Sequence, residues 1–228
     1  MTLHVFDDLE QGSDEWLDAR RGIVTASAVG KLVTPSTVRP ANNDWSRALT
    51  AELAAERITG FTDPVFVNAD MQRGNDDEPI ARDLYSHHFA PVTEVGFMVR
   101  QFDGYRLGYS PDGLVGNDGL IEVKSRRPKK HLATILADEV PAENMAQLMT
   151  GLLVTGRDWI DYVSFCGGMR LWVKRVHPDP KWFDAIEAAA IRFEQAVTVM
   201  TNTYETRTTG LPMTERIDHY ADVELKLA

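Results

Sequence analysis

Two acidic side chains and one lysine are spaced so that they could hold a divalent metal ion. Asp112 lies in the turn sequence Ser110-Pro111-Asp112-Gly113, and Glu122 and Lys124 follow a predicted hairpin turn. Residues two apart on a strand point to the same face, so Glu122 and Lys124 lie together, and Asp112 meets Glu122 across the sheet. Two close carboxylates repel each other unless a cation separates them, and oxygen ligands suit Mg²⁺ or Mn²⁺. The pattern predicts a metal site at which Lys124 positions or activates a water that attacks phosphorus.

The same residues also fit an ordinary surface hairpin. The strand Ile121-Glu122-Val123-Lys124 alternates apolar and charged side chains, and Pro-Asp-Gly is a common turn sequence. Each half is a weak signal by itself, whereas both halves at this spacing are less common. From the residues alone, the metal site and the solvated hairpin both remain open.

The surrounding segments predict an α/β fold with a mixed central β-sheet flanked by helices. Periodicity, capping residues and turn signals favour helices that start near Ser13 and Thr25, and further helices at 44–58, 70–89, 130–137, 141–154 and 180–201. Pro79 suggests that the helix at 70–89 begins or bends there. Strands are predicted at 92–102, 106–109, 114–115, 120–124, 159–165 and 169–176. We expect residues 34–43 to form a surface loop.

Length and composition indicate one domain over residues 1–228. The polar segment from about 203 to 228 is expected to be either mobile or docked on a partner. No apolar run approaches the roughly 18 residues of a membrane helix, and the acidic N-terminus resembles no targeting signal. A single cysteine suits a reducing, cytoplasmic setting, which we therefore expect. The only cysteine, Cys166, excludes internal disulfides, a four-thiolate zinc site and an iron–sulfur cluster. A net charge of −10 disfavours a sequence-blind nucleic-acid coat but not a nucleic-acid enzyme.

Several segments together resemble the lambda-exonuclease-like, YqaJ-type viral recombinase family of PD-(D/E)XK nucleases. Pro111-Asp112 with Glu122-Val123-Lys124 matches the nuclease signature. Three more segments agree in type and order, namely Arg20–Ser27, Gly74–Glu78 and Asn144–Gln147. The resemblance extends from about residue 11 to residue 156 and is looser beyond. It implies a restriction-endonuclease-like core.

The resemblance implies a metal site and the residues that serve it. Asp112 and Glu122 would be ligands of two Mg²⁺ ions, for which Mn²⁺ could substitute, and the Val123 carbonyl could add an oxygen. Glu78 would complete the acidic site, directly or through water. Lys124 would act on the attacking water, and Gln147 would orient that water or the scissile phosphate.

The resemblance also implies two features that hold the DNA. Met71 corresponds to an apolar wedge that separates the strands. The implied pocket for a 5′-terminal phosphate consists of Arg20, Thr25, Ser27 and Ser110. A guanidinium, hydroxyls and a helix N-terminus suit a dianion. Purely structural roles also remain open. Arg20 could be a surface arginine, Thr25 and Ser27 helix caps, and Met71 core filler. Glu78 and Gln147 could be solvated helix residues.

The activity that the resemblance implies is a Mg²⁺-dependent 5′→3′ exonuclease acting on double-stranded DNA ends. It would leave a 3′ overhang for recombination by a single-strand annealing protein, and relatives form a ring-shaped trimer around DNA. A phage or prophage origin in a bacterial host is implied. Two alternatives are a structure-specific or restriction-type endonuclease of the same fold and a catalytically silent DNA-end-binding scaffold.

Overall fold

The computed structural model describes residues 1–7, 9, 12–63 and 67–217. The helices are α1 (Asp14–Arg20), α2 (Ala26–Val29), α3 (Asp44–Thr59), α4 (Ala69–His88), α5 (Pro128–Ala137), α6 (Ala142–Thr155) and α7 (Pro180–Thr208). The strands are β1 (Thr2–Phe6), β2 (Val24–Thr25), β3 (Val33–Thr34), β4 (Arg39–Pro40), β5 (Val92–Thr93), β6 (Phe97–Gln101), β7 (Arg106–Tyr109), β8 (Gly113–Val115), β9 (Gly119–Ser125), β10 (Trp159–Phe165) and β11 (Trp172–Val176). None of the described helices is long and apolar enough to cross a bilayer.

Two mixed sheets form the centre of the fold, in agreement with the predicted α/β class. The larger sheet has the order β11-β10-β9-β8-β5, in which β9 and β10 are parallel and the other pairs antiparallel. The smaller sheet has the order β1-β6-β7-β2, in which β2 runs parallel to β7. A short hairpin of β3 and β4 lies apart from both.

Strand β9 is buried on both faces, and its alternation decides where Glu122 points. Ile121 and Val123 pack under α4 with Tyr85, as the sequence predicts. Leu120 faces the main core, which contains much of α6 and α7. Glu122 follows Leu120 by two residues and so points toward α6. The antiparallel pairing of β8 with β9 places Asp112, the residue before β8, beside this position.

Capping residues account for the ends of several helices. Ser13 caps α1 by accepting a hydrogen bond from the Trp16 N–H at 3.2 Å. Asn43 and Ser46 form a reciprocal capping box at the start of α3. Gly60 ends α3 in the left-handed conformation, which glycine adopts without strain.

The alternative that the fourth helix begins at Pro79 is wrong. Asn68 caps α4 by accepting hydrogen bonds from two backbone N–H groups, and the helix continues through Pro79 to His88. The large apolar residues Ile80 and Leu84 of α4 are 52% and 38% exposed. The smaller Ala81 and the hydrogen-bonded Tyr85 face the sheet instead.

Other segments differ from the prediction in extent. The predicted strand at 92–102 is divided into β5 and β6. Gly96, just before β6, lies so close to β1 that an added Cβ would be 2.0 Å from the Phe6 carbonyl oxygen. Strand β1 was not predicted, and the loop at 34–43 includes part of the β3–β4 hairpin. Residues 203–208 of the predicted tail belong to α7, and 218–228 lie outside the described residues.

Candidate active site

One cleft, with a volume of about 420 Å³, collects every side chain that the sequence analysis assigned to metal, water or DNA. The predicted residues that line it are Arg20, Thr25, Ser27, Met71, Glu78, Ser110, Asp112, Glu122, Val123, Lys124 and Gln147. They come from α1, β2, α2, α4, β9, α6 and the turn after β7. We call Glu78, Asp112 and Glu122 the acidic end of the cleft. We call Arg20, Thr25, Ser27 and Ser110 its arginine end.

Glu122 is the most enclosed member of the acidic end, with 1% of its surface exposed. Its Oε1 accepts hydrogen bonds from Lys124 Nζ at 2.7 Å and from Gln147 Nε2. Its Oε2 accepts one from the Tyr109 hydroxyl at 3.2 Å. Burial and the charge of Glu122 raise the pKa of Tyr109 well above its ordinary value, so this hydroxyl stays a donor. Three donors therefore fix the direction of one carboxylate.

Asp112 lies beside Glu122 and accepts a hydrogen bond from the Val123 N–H at 2.6 Å. Burial raises the pKa of Asp112 well above its ordinary value, and the charges of Glu122 and Glu78 raise it further. Lys124 and the Val123 N–H act in the opposite direction but do not outweigh these effects. The acidic end thus has more negative charge than the protein alone neutralises.

Glu78 reaches the cleft from α4 and is held there by Arg82. Arg82 Nη1 donates to Glu78 Oε1 at 3.0 Å and to the Asp112 carbonyl at 3.1 Å, and Nη2 lies 2.9 Å from a Glu94 carboxylate oxygen. Burial raises the pKa of Glu78, Arg82 lowers it in part, and Glu122 raises it again. Arg82 therefore ties α4 to the turn that carries Asp112.

Lys124 is the cation nearest to the crowded carboxylates. Burial alone would lower the pKa of Lys124, but Glu122 and Asp112 outweigh burial, so the pKa is raised and the ammonium stays charged. A charged ammonium donates hydrogen bonds and cannot accept a proton.

The donor chemistry of the acidic end fits Mg²⁺. Among the described residues, no three His, Cys, Asp or Glu side chains are grouped so that they could hold a metal ion alone. Mg²⁺ usually takes only one or two carboxylates and completes its six oxygens with waters and substrate phosphate. Asp112 and Glu122 supply two carboxylates, and the Val123 carbonyl is a further oxygen in the same cleft, so the ligands match that pattern. The raised pKa of Asp112 shows that added positive charge would stabilise its ionised form.

The arginine end has the opposite character. The Arg20 guanidinium lies over the Trp16 ring, 3.9 Å from its centroid, and Trp16 Nε1 donates to Ser110 Oγ at 3.3 Å. Burial lowers the pKa of Arg20, and the charge of Glu56 offsets this in part. In the part of the chain that the structure describes, no carboxylate forms an ion pair with Arg20. This end has a desolvated cation that suits an anion.

Thr25 and Ser27 present their hydroxyls to the same end, 3.1 Å apart. Thr25 is the N-cap residue of α2, as predicted, but its side chain makes no capping hydrogen bond. Helix α2 spans only four residues, so a helix dipole adds little to this end. The hydroxyls remain the relevant donors.

A clamp on Gly22 holds the segment between Arg20 and Thr25. The Gly22 N–H donates to Glu56 Oε2 at 2.6 Å, and its carbonyl accepts from Arg57 Nε at 2.7 Å. Arg57 also makes a two-pronged ion pair with Glu194 on α7, at 2.6 and 2.8 Å. Gly22 has a φ of +63°, which a residue with a side chain rarely adopts.

Sequence reasoning missed several residues that shape the cleft. Tyr109 and Trp16 carried no motif, and only the spacing of Glu78 and Arg82, four apart on a helix, could have indicated a pair. Met71, the predicted strand-separating wedge, is half-buried and lines the cleft.

Comparison with known proteins places the chain in a family. The sequence model of the YqaJ-like viral recombinase domain matches residues 15–158. A search of curated proteins finds no match. The alkaline exonuclease LHK-Exo from Laribacter hongkongensis superposes with a TM-score of 0.77 at 31% identity, covering 88% of this chain and 100% of that one. The structure of LHK-Exo in complex with dAMP superposes with a TM-score of 0.77 at 32% identity, covering the same 88% of this chain and 100% of that one.

A phage-related exonuclease from Haemophilus somnus 129PT shares the fold, with a TM-score of 0.59 at 15% identity, over 78% of this chain and 96% of that one. The family match covers more than half of the chain and spans both ends of the cleft. The chain belongs to the YqaJ-like viral recombinase family.

Proposed function

We propose that this protein is a Mg²⁺-dependent exonuclease that digests one strand of duplex DNA from a 5′-phosphorylated end and leaves a 3′ overhang. The observation that carries the proposal is that an acidic end and an arginine end open into one cleft. The family and the exonuclease names of similar solved structures support the reaction class. LHK-Exo is known in complex with dAMP, and a mononucleotide is the product expected here.

Asp112, Glu122 and the Val123 carbonyl would hold one Mg²⁺, and Glu78 would serve a second ion directly or through water. When bound, Mg²⁺ neutralises the crowded carboxylates and stabilises charge that develops on the phosphate. Mn²⁺ accepts the same oxygen geometry and should substitute.

Lys124 and Gln147 would orient the attacking water and the scissile phosphate. Lys124 donates a hydrogen bond to the Glu122 carboxylate, and from this place we assign it the positioning or activation of the attacking water. Gln147 contacts the same carboxylate oxygen as Lys124, so both side chains are aligned before substrate binds. Tyr109 would keep Glu122 turned toward the metal position.

The arginine end would anchor the 5′-terminal phosphate. Arg20 supplies the charge, and the hydroxyls of Thr25, Ser27 and Ser110 supply further hydrogen bonds. A dianionic end group differs from an internal phosphodiester by one negative charge, so such an anchor favours ends over internal sites. Contacts of this kind read the backbone, and digestion should therefore depend little on sequence.

Further parts of the proposal concern partners. A 3′ overhang is the substrate of a single-strand annealing protein, which we propose as the partner in recombination within a bacterial host's cytoplasm. We also propose a homotrimer that encloses DNA. The particle mass in solution tests the trimer, because a closed heterologous interface gives a ring of fixed size.

The test compares linear and covalently closed circular duplex of one sequence, each with Mg²⁺, Mn²⁺, Ca²⁺ or EDTA. We expect acid-soluble nucleotide from the linear form alone, in Mg²⁺ and Mn²⁺ only. Ca²⁺ should bind the carboxylates but place the reacting groups too loosely for turnover. Cleavage of the circle would favour an endonuclease, and binding of ends without digestion in any metal would favour a scaffold.

A further inference from the structure

The rim of the cleft next to Met71 and Ser125 carries exposed basic residues that the proposed reaction does not use. Residues 124–130 read KSRRPKK, five basic residues in seven, in a chain whose net charge is −10. Two of these are occupied elsewhere, because Arg126 donates to Asn144 Oδ1 at 2.6 Å and Lys130 lies 2.7 Å from a Glu143 oxygen. Arg127 and Lys129 are exposed and, with Arg73, form what we call the basic rim.

Both arginines of the basic rim converge on one carboxylate oxygen. Arg73 Nη1 donates to Asp70 Oδ1 at 2.6 Å, and Arg127 donates to the same atom from Nη2 at 2.7 Å and Nε at 3.1 Å. Arg73 Nε also donates to Ser125 Oγ at 3.0 Å. For Lys129, no carboxylate partner exists among the residues that the structure describes. The rim thus presents two guanidinium groups preset around a single anionic oxygen.

Asp70 is a weak occupant of that position. Its side chain is 57% exposed and that of Arg127 is 69% exposed. Exposed ion pairs contribute little net stability because water and salt screen them. A phosphate oxygen makes the same charge-assisted contacts with guanidinium groups. A DNA backbone, with many phosphates in a row, can therefore displace Asp70 at small cost.

The rim is continuous with the cleft. Asp70 precedes Met71, and Ser125 follows Lys124, and both Met71 and Ser125 line the cleft. DNA whose terminal phosphate lies at the arginine end, and whose scissile phosphate lies at the acidic end, has its next phosphates within reach of this edge. Contacts to phosphate alone would hold any sequence equally well.

We propose that Arg73, Arg127 and Lys129 bind the phosphodiester backbone of DNA beside the cleft, and that Asp70 occupies the two arginines until DNA displaces it. The proposal rests on the proposed function in that DNA is the substrate. It adds a binding surface outside the catalytic and terminal-phosphate positions. Because Asp70 competes with phosphate, replacing it and replacing its arginine partners should change DNA affinity in opposite directions.

The experiment measures DNA binding and not turnover. A fluorescent 5′-phosphorylated duplex with phosphorothioate linkages at its ends is titrated in Ca²⁺ over a series of salt concentrations. We expect Arg127→Ala to weaken binding roughly three- to tenfold and to reduce the magnitude of the logarithmic salt slope by about 0.9, and Lys129→Ala to act similarly. Asp70→Asn should tighten binding severalfold. A single-stranded oligonucleotide shows whether the contacted backbone belongs to the duplex or to the overhang.

A matched control lies on α3. Arg47 pairs with Asp44 at 2.6 Å with the same three-residue spacing as Arg73 and Asp70, but it borders a different recess. Arg47→Ala and Asp44→Asn should leave both affinity and salt slope unchanged. Thermal melting of each variant shows that the fold is retained.

Two results would overturn the basic rim. The first is an unchanged DNA affinity and salt slope in folded Arg127→Ala and Lys129→Ala. The second is weaker DNA binding by Asp70→Asn, which is expected if the cluster only joins α4 to the chain before α5. Failure of the proposed function gives a different result. A wild-type protein that binds DNA through the rim but digests no linear duplex in Mg²⁺ would contradict the nuclease and keep the rim.

Discussion

The acidic end and the arginine end of the cleft are both poorly solvated, but they differ in the charge that would stabilise them. The acidic end needs positive charge, and the arginine end needs negative charge. At the acidic end, burial and mutual repulsion raise the pKa values of Asp112 and Glu78, although Lys124 and Arg82 are close. At the arginine end, burial lowers the pKa of Arg20, and only the more distant charge of Glu56 offsets it. The first end is stabilised by added cations and the second by an added anion.

In the proposed function, this difference is what lets one cleft recognise a DNA end. A terminal phosphate would supply the negative charge that Arg20 lacks, and divalent ions would supply the positive charge that the carboxylates lack. At both ends the charged groups are partly removed from water, so hydration does not already stabilise them. The two ends should therefore respond to substitution in separate ways, turnover at one and end preference at the other.

The largest expected effect is at the acidic end. Asp112→Asn, Glu122→Gln and Lys124→Ala should each lower release of acid-soluble nucleotide by on the order of a thousandfold, because metal-centred charge stabilisation contributes several kcal/mol. Preference for a 5′-phosphate in DNA binding should persist in these variants. Glu143→Gln, an exposed carboxylate paired with Lys130, is the control and should retain full activity. Near-normal digestion by Lys124→Ala would contradict the assignment of the acidic end.

The second effect is at the arginine end. Arg20→Ala should abolish a preference of roughly tenfold or more for 5′-phosphate over 5′-hydroxyl ends, since a charge-assisted contact contributes about 1.5 to 3 kcal/mol. Rates are measured on two duplexes that differ only in that group. Arg21→Ala is a neighbouring control, because Arg21 pairs with Asp18. Equal rates on both ends in the wild-type protein would remove the basis for this pocket.

A smaller effect is expected at Gly22, where a control at Gly60 separates the cost of the backbone conformation from the clash with a side chain. Gly22→Ala should destabilise the fold by about 1 to 3 kcal/mol and reduce the end preference, because an added Cβ would lie 2.4 Å from Arg57 Cγ. Gly60→Ala has nearly the same φ, +65°, with nothing within 4 Å of the added Cβ, so it isolates the backbone cost. If both variants keep the full end preference, the Gly22 clamp does not position Arg20.

The smallest effect is the dependence of metal-free stability on pH. Because the folded-state pKa values of Asp112 and Glu78 are raised, their contribution to stability is present below the ordinary carboxyl pKa near 4 and is lost as pH rises through the raised values. We expect Mg²⁺ to raise the melting temperature by a few degrees near pH 8 and by less near pH 5. Asp112→Asn should reduce this difference, and a Mg²⁺ effect that grew toward low pH would contradict it.

Local patterns in the sequence predict the acidic end better than its surroundings. Alternation along β9 placed Glu122 and Lys124 on one face, and the turn placed Asp112 beside them. The arginine end depended on family resemblance, because Ser110 is far in the chain from Arg20 and Thr25, and no local pattern marks the three as one site. Tyr109 could not be predicted, since its contact with Glu122 joins strands β7 and β9 of different sheets.

Errors in the prediction have physical causes. The apolar pattern predicts the helix α4 but not the face that it buries. Ile80 and Leu84 are exposed, whereas the small Ala81 allows α4 to approach β9 and Tyr85 donates a hydrogen bond to Asp161. Contacts between distant residues, such as Trp16 with Ser110, leave no local signal. Packing therefore decides what spacing alone leaves open.

The most direct test of the cleft as a 5′-end-specific nuclease uses a linear duplex with one 5′-phosphate and the three other strand ends blocked. Each strand carries a different label at its 3′ end. In Mg²⁺ we expect the phosphorylated strand to shorten progressively from its 5′ end, while its complement stays intact and EDTA stops the reaction. Shortening from a 3′ end, internal cuts in either strand, or equal digestion in EDTA would contradict the proposed function.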